Sequence, residues 1–294
     1  MSFYSFMINR AFSSSDNRRD RGLTTPDDIL RFDNISYGTE LLDVYRPKAG
    51  ERFPVIVSVH GGGWVYGDKD RYQYYCMDLA CRGFAVVNFT YRLAPKHKFP
   101  AALEDTCSAF SWVLTHADEY GFDLDNVFAV GDSAGAHLLS LFCCVCQDPS
   151  FAKELSVVPP EGFLPKAVAL NCGVYQVERS KKKDLTTRLM EDLLPEKGTD
   201  RELKAISPVF HLLPGFPPAF IMTAEGDFLI PHAAMLADKL KSLGTPVEYR
   251  YYGDPEHVLG HVFHLRIRLD EAKHCNDEEC DFFRQYMACS KSEL

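Results

Sequence analysis

Apolar residues along this chain fall into short, nearly continuous runs separated by stretches at helical spacing. The runs at 54–60, 84–91, 127–130, 165–172, 219–224 and 247–252 are rich in Val, Ile, Phe and Tyr and bounded by turn residues, as expected of buried strands. Residues 32–37 and 41–46 flank Gly38-Thr39-Glu40 and predict an antiparallel hairpin. Between the later strands, 101–116 places Leu103, Phe110, Val113 and Leu114 at helical spacing, and the Ala- and Leu-rich run after Ser133, 232–243 and 277–288 also read as helices. Strand–helix alternation predicts an α/β protein with a mostly parallel sheet of about eight strands, covered on both faces. No repeat or linker divides the chain, so 1–294 reads as a single domain. Two stretches depart from the alternation. Residues 176–205 are more polar and read as an insertion, helical around 185–194. The N-terminal 1–25 opens with Phe3, Tyr4, Phe6, Met7 and Ile8 and turns polar from Ser13. It reads either as a short amphipathic helix over a pocket or as a frayed tail.

Charge narrows the partners. Lys and Arg number 32 against 41 Asp and Glu, a formal net charge of −9, which argues against nucleic acid. The one basic cluster, Lys181-Lys182-Lys183, reads as a solvated turn. The ten cysteines do not form a disulfide framework: Cys143, Cys144 and Cys146 share a helix, and Cys107 and Cys172 lie in apolar runs, where they behave as small apolar residues. Residues 1–12 lack the basic start, long apolar stretch and cleavage site of a secretory leader, and no run is long enough to span a membrane. A reducing cytoplasm is the expected compartment. The glycosylation patterns at Asn34 and Asn88 read as chance, the second falling inside a predicted buried strand. Oligomeric state stays open, a homodimer included.

The chemistry centres on Gly131-Asp132-Ser133-Ala134-Gly135, set between a Val/Phe strand and an Ala/Leu helix. A nucleophile on such a strained turn needs neighbours with little side chain, because strand and helix converge there. The turn lifts the Ser133 hydroxyl clear of the sheet and aims the Ala134 amide at the same point. Gly61-Gly62-Gly63, directly after a strand and before Trp64, offers backbone N–H groups to an anion; with Ala134, Gly62 and Gly63 would form an oxyanion hole. Trp64 then borders the substrate. A serine needs a base, and the base a carboxylate, both from loops beyond the carboxyl ends of parallel strands. Asp227 stands at such a place; Glu225 reads as a locally paired neighbour and Asp254 as a weaker alternative. The base comes from the loop holding His257, His261 and His264. The order Ser, Asp, His is that of an α/β-hydrolase.

These motifs together resemble the hormone-sensitive-lipase branch of α/β-hydrolase carboxylesterases. His60-Gly61-Gly62-Gly63-Trp64 is similar to the branch's H-G-G-G motif and Gly131-Asp132-Ser133-Ala134-Gly135 to its G-D-S-A-G elbow. Tyr91-Arg92-Leu93-Ala94-Pro95 with Phe99-Pro100-Ala101-Ala102-Leu103-Glu104-Asp105 resembles the segment between them, and Thr223-Ala224-Glu225-Gly226-Asp227 the acid strand. The resemblance, over about residues 53–265, implies hydrolysis of short-acyl carboxylic esters without metal or cofactor. It also implies a cap from 1–25 and 176–205. Three features depart from it. His137 replaces a smaller polar residue. The histidine loop is long: His261-Val262-Phe263 keeps the family's H-x-F pattern and favours His261 as base, whereas spacing from Asp227 fits His257. Cys275 and Cys280 beside His274 sit in an acidic helical stretch without a second Cys pair, which favours a structural role over a metal site. The expected partner is a small ester. Two rival functions remain: a ligand-binding protein on a hydrolase scaffold, and an amide-cleaving, arylformamidase-like enzyme sharing the same tetrahedral intermediate.

Overall fold

The structure, a computed structural model, describes residues 3–179 and 185–288; the Lys181-Lys182-Lys183 cluster lies outside them. The strands are β1 (Ile29–Ser36), β2 (Leu41–Pro47), β3 (Phe53–Val59), β4 (Ala85–Phe89), β5 (Phe122–Asp132), β6 (Val168–Asn171), β7 (Ala219–Ala224) and β8 (Val247–Tyr252). They form one eight-stranded sheet in the order β1-β2-β4-β3-β5-β6-β7-β8. The β1–β2 hairpin is antiparallel, β2 meets β4 antiparallel, and every later pairing is parallel. The sheet is mostly parallel and covered on both faces, as the alternation predicted, and the fold is the α/β-hydrolase one that the motifs implied.

Period-two alternation divides the core. Val55, Val57 and Val59 of β3 join one buried cluster and Ile56 the other. On the first face pack α3 (Ala101–Thr115), α5 (Ala134–Gln147) and α9 (Ile230–Ser242), through Phe110, Phe142 and Leu236 among others. On the second lie α2 (Lys69–Ala80) and α10 (Asp270–Gln285), which contribute Tyr75, Leu79, Phe282 and Phe283. Phe110 and Phe142 stack at 4.0 Å between ring centroids, pinning α3 against the helix that follows Ser133. Removing either ring would cost about 3–5 kcal/mol. Cys143 and Cys144 are buried in this layer, and Cys275 and Cys280 in the other; His274 instead faces solvent, 3.5 Å from Glu278.

The remaining helices are α1 (Phe3–Asp20), α4 (Ala117–Tyr120), α6 (Pro149–Glu154), α7 (Leu185–Leu193) and α8 (Asp200–Ala205). The N-terminal stretch is thus helical well past its aromatic start. α10 begins earlier than the expected 277, because Asp270 and Glu271 complement its first turn. The sixth strand is shorter than 165–172, with Lys166 N–H bonded outside the ladder to the Val127 carbonyl. No helix among the described residues is long and apolar enough to cross a membrane.

Candidate active site

Two parallel strands, β3 and β5, end side by side, with Val59 opposite Gly131. Beyond their carboxyl ends the chain turns sharply in both. Ser133 sits between β5 and α5 at φ 51°, a left-handed conformation that is strained for a side chain. The Gly135 backbone packs so tightly on β3 that an added Cβ would lie 1.9 Å from the Val59 carbonyl oxygen. In the glycine loop, Gly62 has φ 118° and a Cβ there would fall 2.1 Å from the Tyr66 carbonyl oxygen. Both positions require glycine for physical reasons.

Positive φ recurs around this point. Trp64 (63°), Ser133 (51°), Cys172 (48°) and Val262 (52°) each lie in or beside the loops that meet here, and for β-branched Val262 this is an unusual conformation. Strain of this kind persists only where surrounding contacts hold it.

The acid and histidine loops are tied by their backbones: Gly226 bridges Gly260, and the Gly226 N–H donates to the Leu259 carbonyl at 2.8 Å. That contact brings His261 Nδ1 to 2.7 Å from Asp227 Oδ1. Asp227 also accepts from Thr223 Oγ1 (2.7 Å) and the Leu229 N–H (2.9 Å). Burial alone would raise its pKa, but the His261 bond and charge, with these other donors, hold it below the ordinary carboxylate value. Phe263, two residues past His261, is buried under the loop with its ring 5.2 Å from Tyr252. His257 points elsewhere: it is exposed and pairs with Glu271 at 2.7 Å. Asp254 caps the preceding turn by accepting from the Glu256 and His257 N–H groups, which is how the loop absorbs its extra length. Glu225 accepts a hydrogen bond from Tyr251 Oη. His264 is fully buried with neither ring nitrogen bonded among the described residues, and burial lowers its pKa to about 3, so it stays neutral.

Ser133, Ala134, His261, Gly62, Gly63 and Trp64 all line one cavity of about 400 Å³. Its other walls include Phe12, Ser15, Asp16 and Arg19 of α1, Leu189 and Met190 of α7, the polar Tyr66, Tyr72 and Asp132 beside the glycine loop, and Phe228, Leu229, Val262 and Leu265. His137 has a specific task. Its Nδ1 accepts from the Trp64 indole N–H at 3.2 Å and its Nε2 donates to the Ile206 carbonyl at 2.6 Å. Acceptance at Nδ1 requires the neutral ring, and burial lowers its pKa to about 4.

Two neighbouring groups were not legible as site residues. Tyr72 of α2 accepts from the Gly61 N–H at 2.8 Å and donates to Asp132 Oδ2 at 2.8 Å, so one phenol ties the glycine loop to the turn carrying Ser133. Burial raises Asp132 to about 7, opposed by the Tyr72 bond and the His261 and Arg19 charges. Tyr91 braces the same loop, stacking on His60 at 3.9 Å while its Oη donates to the His60 carbonyl at 2.9 Å. The second group is Cys172, whose Sγ lies within 4.8 Å of ligand atoms of Asp227 and His261. Burial and the Asp227 charge push its thiol well above the usual range, so the thiolate that a metal would need is the disfavoured form.

A serine on a strained turn, an imidazole bonded to a buried carboxylate and a glycine loop around one cavity form an arrangement compatible with acyl-transfer chemistry. The chain belongs to the α/β-hydrolase fold family, whose model matches residues 56–264. Among its relatives, carboxylic ester hydrolase LipN of Mycobacterium tuberculosis is 32% identical over 232 residues, covering 75% of this chain; the chain spans only 61% of LipN's own length. Carboxylesterase NlhH of the same organism is 30% identical over 261 residues, covering 82% of this chain and 80% of NlhH. An inhibited esterase B from Lactobacillus rhamnosis shares the fold, with a TM-score of 0.86 at 24% identity over 97% of each chain.

Proposed function

We propose that this protein is a serine hydrolase of short-acyl carboxylic esters. Ser133 Oγ attacks the ester carbonyl carbon while His261 Nε2 takes its proton, and Asp227 holds His261 in the required tautomer and stabilises the imidazolium. The Gly62, Gly63 and Ala134 N–H groups receive the oxyanion. The carbon–oxygen bond to the alcohol breaks as His261 returns the proton to the leaving oxygen, leaving an acyl ester on Ser133. Water, deprotonated by the same histidine, then attacks that ester, releases the acid and restores the Ser133 hydroxyl.

The observation that carries this reading is the 2.7 Å His261–Asp227 bond beside a cavity that Ser133 shares with His261. A pure binding protein has no need to orient an imidazole by a buried carboxylate at the foot of a strained serine. The short-acyl preference rests on the cavity. Its 400 Å³ is near the lower end of the ~300–1,000 Å³ typical of small-molecule pockets. Buried Trp64 and Met190 wall it in, and α1 and α7, from the two expected cap segments, cover it.

The test is a series of p-nitrophenyl acetate, butyrate and octanoate beside an anilide. The account expects kcat/KM to peak at acetate to butyrate and fall at octanoate, with the anilide slower. A maximum at octanoate would overturn the chain-length assignment, and an anilide faster than every ester would transfer the function to amide cleavage.

A further inference from the structure

The side chain packed directly against the histidine ring is the aromatic Phe228, next in sequence to Asp227. Its ring centroid lies 4.4 Å from that of His261, tilted by 40°. Phe228 nevertheless remains 74% exposed while lining the cavity, the most exposed large aromatic among the described residues. A large apolar ring left in water beside a reactive imidazole has most of its surface free for a ligand.

Resting on the esterase reading above, we propose that Phe228 walls the leaving-group subsite and that the preferred substrates are esters of aryl or arylalkyl alcohols. His261 sets where the leaving group lies. Its Nδ1 is committed to Asp227, so the proton returned to the leaving oxygen comes from Nε2, and that oxygen must come within about 2.6–3.2 Å of it. The alcohol carbons attached to that oxygen then lie within reach of the residues bordering the imidazole, Phe228 among them. The acyl portion, bonded to the carbon that Ser133 attacks, points away from this oxygen.

The surroundings favour an apolar ring over a polyhydroxylated alcohol. Leu229, Val262 and Leu265 continue the wall beside Phe228, and Val258, packed on Gly226, is 61% exposed on the same pair of loops. The carboxyl and guanidinium groups of the cavity already have partners: Asp132 accepts from Tyr72 Oη at 2.8 Å. Asp16 accepts from Tyr66 Oη at 2.7 Å and pairs with Arg19, which is also bonded to Asp20 and to the Arg71 carbonyl. Hydroxyl groups entering here would displace those bonds, whereas an aryl ring meets Phe228 in the offset or edge-on arrangements that aromatic pairs prefer.

The test compares benzyl acetate with ethyl acetate, which share the acyl group and have leaving alcohols of similar acidity. It measures kcat/KM in the wild type, Phe228→Ala and Phe228→Tyr. The inference expects the wild type to prefer benzyl acetate, Phe228→Ala to lower the benzyl-to-ethyl ratio about tenfold, and Phe228→Tyr to keep it. An unchanged ratio in Phe228→Ala, or no benzyl preference in the wild type, would overturn the subsite while leaving the esterase reading intact. Absence of hydrolysis of both esters would overturn the two together. Because the ring is mostly exposed, its truncation leaves the core untouched, and an unfolding control on each variant verifies this.

Discussion

Replacing Tyr72 by Phe removes one oxygen and keeps the ring, and that oxygen makes two bonds at once. The Gly61 N–H loses its acceptor in a buried place, which costs about 1–3 kcal/mol. Asp132 loses the donor that holds its pKa down to about 7, so its neutral form becomes the favoured one over a wider pH range. The sign follows. A carboxyl raised above its unfolded value holds its proton in the native state, and its contribution to stability declines as pH rises from about 4 towards the folded value. In Tyr72→Phe that decline extends to higher pH. The variant is therefore destabilised at pH 6 by the orphaned amide, and at pH 8.5 by a further ~1–2 kcal/mol for the lost bond to a charged group. The glycine loop is loosened at Gly61, one residue before Gly62. We expect kcat on p-nitrophenyl acetate to fall about 10- to 100-fold with little change in KM, less than the ~10²–10³ of deleting an oxyanion donor outright. Steady-state kinetics and urea unfolding at the two pH values measure both effects. A variant that loses stability but keeps kcat within twofold of wild type would show that Tyr72 only packs. A destabilisation independent of pH would remove Asp132 from the argument.

Three further outcomes follow from the same geometry. His261→Ala should lose kcat on an acetyl ester by orders of magnitude, approaching Ser133→Ala. His257→Ala, which removes an exposed ring paired with Glu271, should stay within a few-fold of wild type; the reverse ranking would move the base. Glu279 is buried, bonded to Asn171 Nδ2 and Tyr75 Oη, and raised by burial to about 7, so it favours the native state less as pH climbs from 4.5 to 7. Glu279→Gln should therefore gain on the wild type across that window by up to about 3 kcal/mol, at ~1.4 kcal/mol per tenfold, seen as a Tm difference that grows between pH 5 and 7.5; a constant difference would contradict it. Deleting the first 20 residues removes α1 from the cavity and should raise KM or shift chain-length preference while Ser133 still reacts with a small phosphonate. Wild-type kinetics on every ester would show that α1 is no cap.

The parts legible in the sequence are those whose physics is local. β7 and β8 fall at the expected residues because their apolar or aromatic runs are bounded by turn signals, and the hairpin of β1 and β2 because Gly38-Thr39-Glu40 separates two runs. Ser133, Asp227 and the glycine loop announce themselves by residue types needed at strand ends. In the sequence His261 differs from His257 by Phe263 in the H-x-F pattern; in the structure Phe263 is buried and His261, not His257, bonds Asp227. By contrast, the apolar pattern does not predict α2, and so does not single out Tyr72. The buried residues of that helix, Lys69, Tyr72, Tyr75, Cys76, Met77, Leu79 and Ala80, mix a lysine and two tyrosines with the apolar positions, which blurs the helical periodicity. The available signal was Asp68, which caps the helix by accepting from the Arg71 N–H. Asp132 was read only as part of the elbow, since its pairing with Tyr72 spans 60 residues. Phe228 carries no sequence signal of its own, because an exposed aromatic gains meaning only from the ring beside it.

The central claim is that Ser133 is a nucleophile made reactive by His261 and Asp227. A fluorophosphonate tests it directly, because attack by the serine oxygen expels fluoride and leaves a stable phosphonyl ester that peptide mass spectrometry locates. The account predicts one adduct, on Ser133, forming with loss of esterase activity, far slower in His261→Ala and absent in Ser133→Ala. Full ester hydrolysis by Ser133→Ala, or inactivation with the adduct on another residue, would contradict it.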